Sequence, residues 1–392
     1  MNIKKCLWLF FLCFLSAPSI QAQRNYIDIP NYILCINSYA ESTPWSTRMI
    51  STISEYVQKD PQLALYAEHM NTFMIDNDSI LKEFKNMLSQ KYTQPHPRLL
   101  VLLGSPAFTL RDEYRKLWGD IPIILCSEEA FQGPHEAYLQ KQAIKSEDRT
   151  PIAQFAEPYN MVFLYSNLYL RENVQLINHI KSNIKKFIFI GDEREINLSA
   201  SLDIQNELKT KYPKIEYQFL TPQKMTTNQL LDSLYRVDPQ TTGILFASWF
   251  YKTTFAGNTS LMSNDHKLIV TTPAPIFTLN MTDITEENGG MIGGYTYNQK
   301  RYSQELVRTI SDILQGKQAR DLPFYMPSDG APIINYTTLF RKGLSPSMCP
   351  ADTLFLHKPL SFWELNKYFI IGSLSFLSST YKCNFLGADN KQ

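Results

Sequence analysis

Leu99-Leu100-Val101-Leu102-Leu103, stopped by Gly104-Ser105-Pro106, is the most informative run in the chain. Five apolar residues in a row, with no alternation, describe a strand covered on both faces, as in a parallel sheet packed between helices. Similar runs lie on either side. Tyr32 to Ile36 precedes it and ends at Asn37-Ser38, Leu63 to Tyr66 is a second short strand, and Ile121 to Leu125 follows. Between them apolar residues recur at helical spacing. Examples are Met49, Ile50, Ile53, Tyr56 and Val57, then Ile80, Leu81, Phe84, Met87 and Leu88 behind a cap at Asp78.

The alternation then starts again. Met161 to Leu164 reads as a crossover strand, followed by strands Phe187–Ile190, Ile215–Leu220, Gly243–Phe246 and Leu268–Val270. Helical spacing separates them, and a last helix with Leu306, Val307, Ile310, Ile313 and Leu314 is closed by Gly316. Repeated β-α-β-α order implies parallel sheets with right-handed crossovers. A single core stops growing near about 250–300 residues, so a chain of 392 residues calls for two. The predicted fold is α/β, with two doubly wound parallel-sheet lobes joined by a hinge. The stretch from Gln132 to Pro158, which lacks apolar periodicity and carries Pro134, Pro151 and Pro158, is the expected linker.

In open parallel sheets ligands bind outside the carboxyl ends of the strands. Those ends supply the candidate site: Ser38, Tyr39 and nearby Trp45; Gly104 and Ser105; Ser127 and Glu128; Gly191 and Asp192; Ser248 and Trp249; and Thr272. Small hydroxyl residues and glycine let backbone groups approach a ligand, and Trp and Tyr offer flat apolar faces with a polar edge. Acidic ends at Glu128, Glu129 and Asp192 lean toward polyols or amines over anions.

Apolar content of 44% and charged content of 19% describe an ordinary folded chain, and a net charge of +1 gives no footprint for nucleic acid. Lys4-Lys5, the apolar run Leu7–Leu15 and the small residues from Ser16 to Ala22 are the three parts of a secretory signal peptide. Beyond that leader, Cys35 and Cys126 sit in strand-like runs as buried free thiols. Glycine loops with a lysine, Gly-x-Ser-x-Gly and paired cysteine or histidine signatures are all missing, and the six histidines are scattered. The expectation is no catalytic residue, no metal and no cofactor. At the other end, Phe362, Trp363 and Tyr368 precede an apolar stretch, Phe369 to Leu377, which reads as a membrane helix cut short.

One ordered set of segments carries a resemblance. Gly289-Gly290-Met291-Ile292-Gly293-Gly294-Tyr295 is followed by Ile313-Leu314-Gln315-Gly316-Lys317, Asp321-Leu322-Pro323, Ile334-Asn335-Tyr336 and Gly343-Leu344-Ser345-Pro346. From about Tyr32 to Leu360 the chain resembles the ABC-transporter-type substrate-binding proteins of the type I periplasmic-binding fold. With its C-terminal apolar run, it also resembles the extracytoplasmic sensor regions of membrane histidine kinases that use this fold. With residues 1–22 read above as signal peptide, the resemblance implies 30–155 plus about 297–330 as the N-terminal lobe. It implies 156–296 as the C-terminal lobe, 331–360 as a return segment packing on the lobes, 361–378 as a truncated membrane-helix start and 379–392 as a polar tail.

The expected activity is capture of a small molecule (a sugar, an amino acid or a nucleoside-like compound) in the periplasm, with tethering to the cytoplasmic membrane at the C-terminus. The first expectation is the ligand-sensing region of a truncated two-component membrane sensor, which would pair as a homodimer; the alternative is a free substrate-binding protein of an ABC transporter, which would meet a permease. An exported hydrolase using Glu128, Asp192 or Asp283 is the alternative from another class.

Overall fold

The computed structural model describes residues 31–256, 258–262, 269–280, 284 and 290–388. The expected signal peptide, Asp283 and the last four residues lie outside them.

The first lobe begins with β1 (Asn31–Asn37), helix α1 (Pro44–Val57), β2 (Leu63–His69), helix α2 (Asp78–Lys91), β3 (Leu99–Leu103), helix α3 (Arg111–Trp118) and β4 (Ile123–Ser127). The α2 cap is Asn77 rather than Asp78, because the Asn77 amide oxygen accepts from the backbone of Ser79 and Ile80. A two-residue hairpin, β5 (Phe131–Gln132) with β6 (Thr150–Pro151), precedes β7 (Met161–Tyr165).

All five long strands are parallel, in the order β2-β1-β3-β4-β7. Every residue of β3 is fully buried, as its unbroken apolar run requires, and each such leucine is worth about 1.5–3 kcal/mol of burial. The sequence reading of Met161–Leu164 as a crossover strand is corrected here. Ile123 pairs with Met161 and Ser127 with Tyr165, so this strand closes the first sheet and that sheet runs past residue 155.

The second lobe contains helix α4 (Leu170–Ile180), β8 (Lys186–Ile190), helix α5 (Glu195–Lys211), β9 (Glu216–Leu220), helix α6 (Thr227–Arg236) and β10 (Thr242–Phe246). An antiparallel hairpin, β11 (Tyr251–Phe255) with β12 (Asn258–Met262), then leads to β13 (Ile276–Thr278). Its parallel order is β13-β10-β8-β9. The last strand is not at Leu268–Val270 as read from sequence. Val270 lies in a turn, and the run that pairs with β10 is Ile276–Thr278, just after Pro275, which has no N–H to give a ladder.

Three more strands, β14 (Gly293–Thr296), β15 (Ala331–Asn335) and β16 (Leu354–Leu356), extend this lobe beside β13, where Ile292 N donates to Ile276 O at 2.9 Å. Between β14 and β15, helix α7 (Gln299–Leu314) returns to the first lobe and covers its sheet with Tyr302, Leu306, Ile310 and Ile313. Tyr325 then bonds to β7 on both sides before the chain goes back to β15. The two lobes are thus linked by three passages, after Tyr165, after Thr296 and before Ala331. This strand order and triple crossing define the type I periplasmic-binding fold.

The segment from Gln132 to Pro158 is not the linker read from sequence, because it lies between β4 and β7 of the same sheet and the chain leaves the first lobe only after Tyr165. It buries Ala137, Tyr138 and Ile144 as a small cluster of its own. It also reaches the second lobe, where Ile144 N donates to Ser199 Oγ and Arg149 forms two bonds of 2.9 Å with Asp203. Cys35 and Cys126 are buried and free, as expected.

Helix α8 (Phe362–Ala388) starts at Ser361, whose hydroxyl accepts from Glu364 N while the Glu364 carboxylate accepts from Ser361 N. It continues to Ala388, through residues read from sequence as a polar tail; no proline interrupts the chain after Pro359.

Gly293 and Gly294 are where the Gly-Gly-Tyr segment earns its glycines. A Cβ on Gly294 would stand 2.1 Å from the Thr278 carbonyl oxygen, and Gly293 has φ +145 with Ile333 O at 2.2 Å from its Cβ position. Gly294→Ala is expected to push β13 and β14 apart and cost about 1–3 kcal/mol. Thermal unfolding measures this, and an unchanged Tm would contradict the close approach.

Candidate functional site

The carboxyl ends of β1, β3 and β4 face those of β8, β10 and β13 across the lobe boundary. On the first lobe, Tyr39 follows β1 and Trp45 opens α1, their rings edge to face at 6.0 Å. On the second, Arg194 stands in the turn between β8 and α5. Its guanidinium lies 5.6 Å from the Tyr39 ring centre and 4.8 Å from that of Phe250. These groups line an inner chamber of about 60 Å³ together with Glu128, Asn197, Ser248 and Asn280.

Asp192 holds Arg194 in place. Its carboxylate is 0% exposed and accepts from Arg194 Nε and Nη2 at 2.8 Å each, from Asn197 Nδ2 at 2.8 Å and from Ser248 Oγ at 2.7 Å. Burial alone would push this carboxyl up. The charge and hydrogen bonds of Arg194, helped by Ser248, outweigh burial and keep it below the usual carboxylate range. The acid that sequence reading offered to the ligand is therefore consumed by its neighbour, and Arg194 faces the chamber in its place, beside Glu128.

Beyond Glu128, Leu168 and Ile196, which line both spaces, lies an outer chamber of about 690 Å³. Its walls are Glu129 to Phe131 and Tyr165 from the first lobe, and Ala200, Asp203 and Glu207 of α5 from the second. Ligand sites usually measure about 300–1,000 Å³. The inner chamber alone holds a few waters; the outer one has room for a metabolite. Besides the Arg149–Asp203 pair, Lys252 of β11 reaches Asp76 of the first lobe at 2.7 and 2.8 Å, so ion pairs hold the lobes together on two sides of the cleft.

The sequence-selected residues divide into three groups. Tyr39, Trp45, Glu128 and Ser248 line the inner chamber, with Asp192 directly behind. Ser38, Gly104, Ser105, Ser127 and Gly191 lie beneath it, tying strand ends to one another. Ser38 Oγ donates to Gly104 O and accepts from Ala107 N, and Ser105 and Ser127 share a hydroxyl bond of 2.9 Å. Gly104 has φ +90 and leaves the room that Tyr39 fills, and Gly191 lets Asn197 come close.

Trp249 and Thr272 are the misses. Trp249 packs in the second lobe's core and donates to Thr227 Oγ1, because neighbours past a strand end point in opposite directions and Phe250 takes the cleft side. Thr272 is buried against Ile269 O, at a separate cavity it shares with Lys342. Its selection rested on the misplaced strand; the true one ends at Thr278, and Asn280 beyond it lines the chamber. Sequence reading also missed Arg194. The local signal was there in Asp192-Glu193-Arg194, an acid and a base two residues apart after a strand.

Two solved structures share this architecture. One is described as an ABC domain in complex with L-Trp from Streptococcus pneumonia: TM-score 0.52, 14% identity, covering 83% of this chain and 100% of that one. The other is a conserved domain protein from Vibrio cholerae: TM-score 0.53, 12% identity, covering 83% of this chain and 99% of that one. At these identities the likeness is one of fold. No protein-family model matches the chain, and no curated protein matches it.

Proposed function

We propose that this protein is an extracytoplasmic receptor that captures a small molecule between its two lobes. One observation carries the reading: Arg194, locked from behind by a buried carboxylate, projects from the second lobe onto Tyr39 of the first, at the head of a cleft large enough for a metabolite. Contacts from both lobes are what make a ligand favour closure. Moving a 1:99 balance to 99:1 takes about 5.5 kcal/mol of differential affinity, which groups on one lobe alone do not provide. The L-Trp complex of a structural neighbour supports an amino acid as one ligand type. Asp192, with both oxygens engaged by Arg194 and Ser248, is a poor general acid.

Calorimetry on the full chain against a panel of sugars, amino acids and nucleosides is expected to reveal one saturable site per chain. A panel that produces neither heat nor a thermal shift would overturn the reading.

A tethered sensor region is the second reading, and α8 favours it over a free transport receptor. Trp363, Tyr368, Phe369, Leu374, Phe376 and Leu377 are all exposed on this helix, an apolar load that water disfavours. Among the described residues no helix is long and apolar enough to cross a membrane. The tether is therefore proposed as an interfacial one, with aromatic residues at headgroup level. The full chain is expected to sediment with phosphatidylcholine vesicles, and a Phe369→Ser, Phe376→Ser variant to stay in the supernatant. Equal partition of both would remove the tether.

A further inference from the structure

The cleft has more carboxyl groups than cations to satisfy them. The bases near its floor already have carboxylates: Arg194 has Asp192, Arg149 has Asp203, and Lys141 and Lys252 share Asp76. Glu128, Glu129 and Glu195 are left over. Glu128 and Glu129 follow β4 and line the outer chamber, and Glu195 begins α5 on the opposite lobe, next to chamber-lining Ile196. Glu129 is 6% exposed and Glu195 3%, and Glu195 Oε1 has no hydrogen-bond partner. A buried carboxyl with an idle oxygen is costly unless something arrives to pair with it.

The acids also act on one another across the gap. Burial, and then the charge of Glu195, push Glu129 well above its ordinary value, against the pull of Ser105 and Arg149. Burial pushes Glu195 to about 7, opposed by its own backbone N–H, Arg194 and Lys141. Glu128 rises to about 7 by burial, with Arg194 opposing. Farther along the same wall, Glu207 is engaged by Arg171 and Lys211. Among the described residues no three carboxylate, imidazole or thiol groups stand close enough together to hold a metal ion. Acids spread around a chamber suit an organic cation that carries several N–H donors.

We propose that the outer chamber is the seat of a protonated amine, so that the ligand is an amine-bearing compound whose N–H groups meet Glu128 and Glu129 on the chamber wall, with Glu195 of the other lobe buried beside chamber-lining Ile196. This rests on the cleft-receptor reading above and narrows it to a ligand class. A cation entering the site favours the ionised carboxyls, so binding releases protons near pH 7 and tightens as pH rises through that value. In the empty protein the raised carboxyls are more protonated folded than unfolded. Their contribution is therefore present at low pH and declines as pH climbs from about 4.5 to about 7.

The test uses the full chain and two probe series in which only the end group changes: putrescine, 1,4-butanediol and succinate, then tryptamine, tryptophol and indole-3-acetate. In at least one series the amine is expected to bind ten or more times tighter than the alcohol and the acid, with heats that vary with buffer ionisation as proton release requires. In Glu129→Gln, Glu195→Gln, the preference and the proton release are expected to fall together. The Tm of that variant, unchanged or raised at pH 8, shows that the fold survives. Tighter binding of an alcohol or acid would overturn the amine assignment and leave the cleft receptor standing. Silence from all six probes overturns the assignment as well, while the metabolite panel decides the receptor reading separately.

Discussion

Arg194→Met is expected to lower the stability of the protein by about 3–5 kcal/mol, because it leaves the Asp192 carboxylate without its cation at a fully buried site. Ligand affinity is expected to fall at least tenfold, about 1.4 kcal/mol or more. The two effects can be separated. Replacing both partners, Asp192→Leu with Arg194→Met, removes the uncompensated charge, and such exchanges are often neutral or stabilising. The double variant should therefore regain most of the Tm and none of the binding. If it recovers binding too, Arg194 is only a structural tie.

The pH dependence follows from the same pair. Asp192 is held below its ordinary value, so its contribution is complete above about pH 4 and disappears as pH falls through the depressed folded value. The surplus glutamates of the cleft work in the opposite direction over the range above.

The other large effect is expected in α7. Tyr302 is fully buried against the first sheet, and its hydroxyl donates to Leu164 O at 2.9 Å. Tyr302→Ala should cost about 3–5 kcal/mol, as ring deletions in cores do. Tyr302→Phe, which loses only the hydrogen bond, should cost about 1 kcal/mol. Denaturant unfolding measures both. Because α7 follows β14 of the second lobe but packs on the first, a small effect of the alanine variant would mean that the return passage does not hold the lobes as described.

The first lobe was legible because its inner strands β1, β3 and β4 are continuous apolar runs with both faces covered; Leu99 to Leu103 needed no further context. The second was harder at β13. Leu268-Ile269-Val270 has the composition of a strand, while the real one, Ile276–Thr278, is equally short and equally β-favouring but follows Pro275, so neither length nor propensity chose between them. Strand ends were a sound guide to the neighbourhood of the site but not to which side chains face it. Trp249 and Phe250 differ by one position, and only the direction of the chain past β10 chooses between them. Asp192 was found and its role misjudged, because an acid at a strand tip looks the same whether it meets a ligand or an arginine two residues on. Glu128 and Glu129 were legible as an acidic strand end, while the approach of Glu195 from the other lobe is a property of two lobes together, which no local pattern contains.

Hydrogen exchange on the full chain, with and without a compound that binds, tests the central claim most directly. Capture between the lobes predicts simultaneous protection of residues 37–45 on the first lobe and of residues 192–197 and 248–250 on the second. Protection confined to one lobe, or centred on the separate cavity around Thr272 and Lys342, would contradict it.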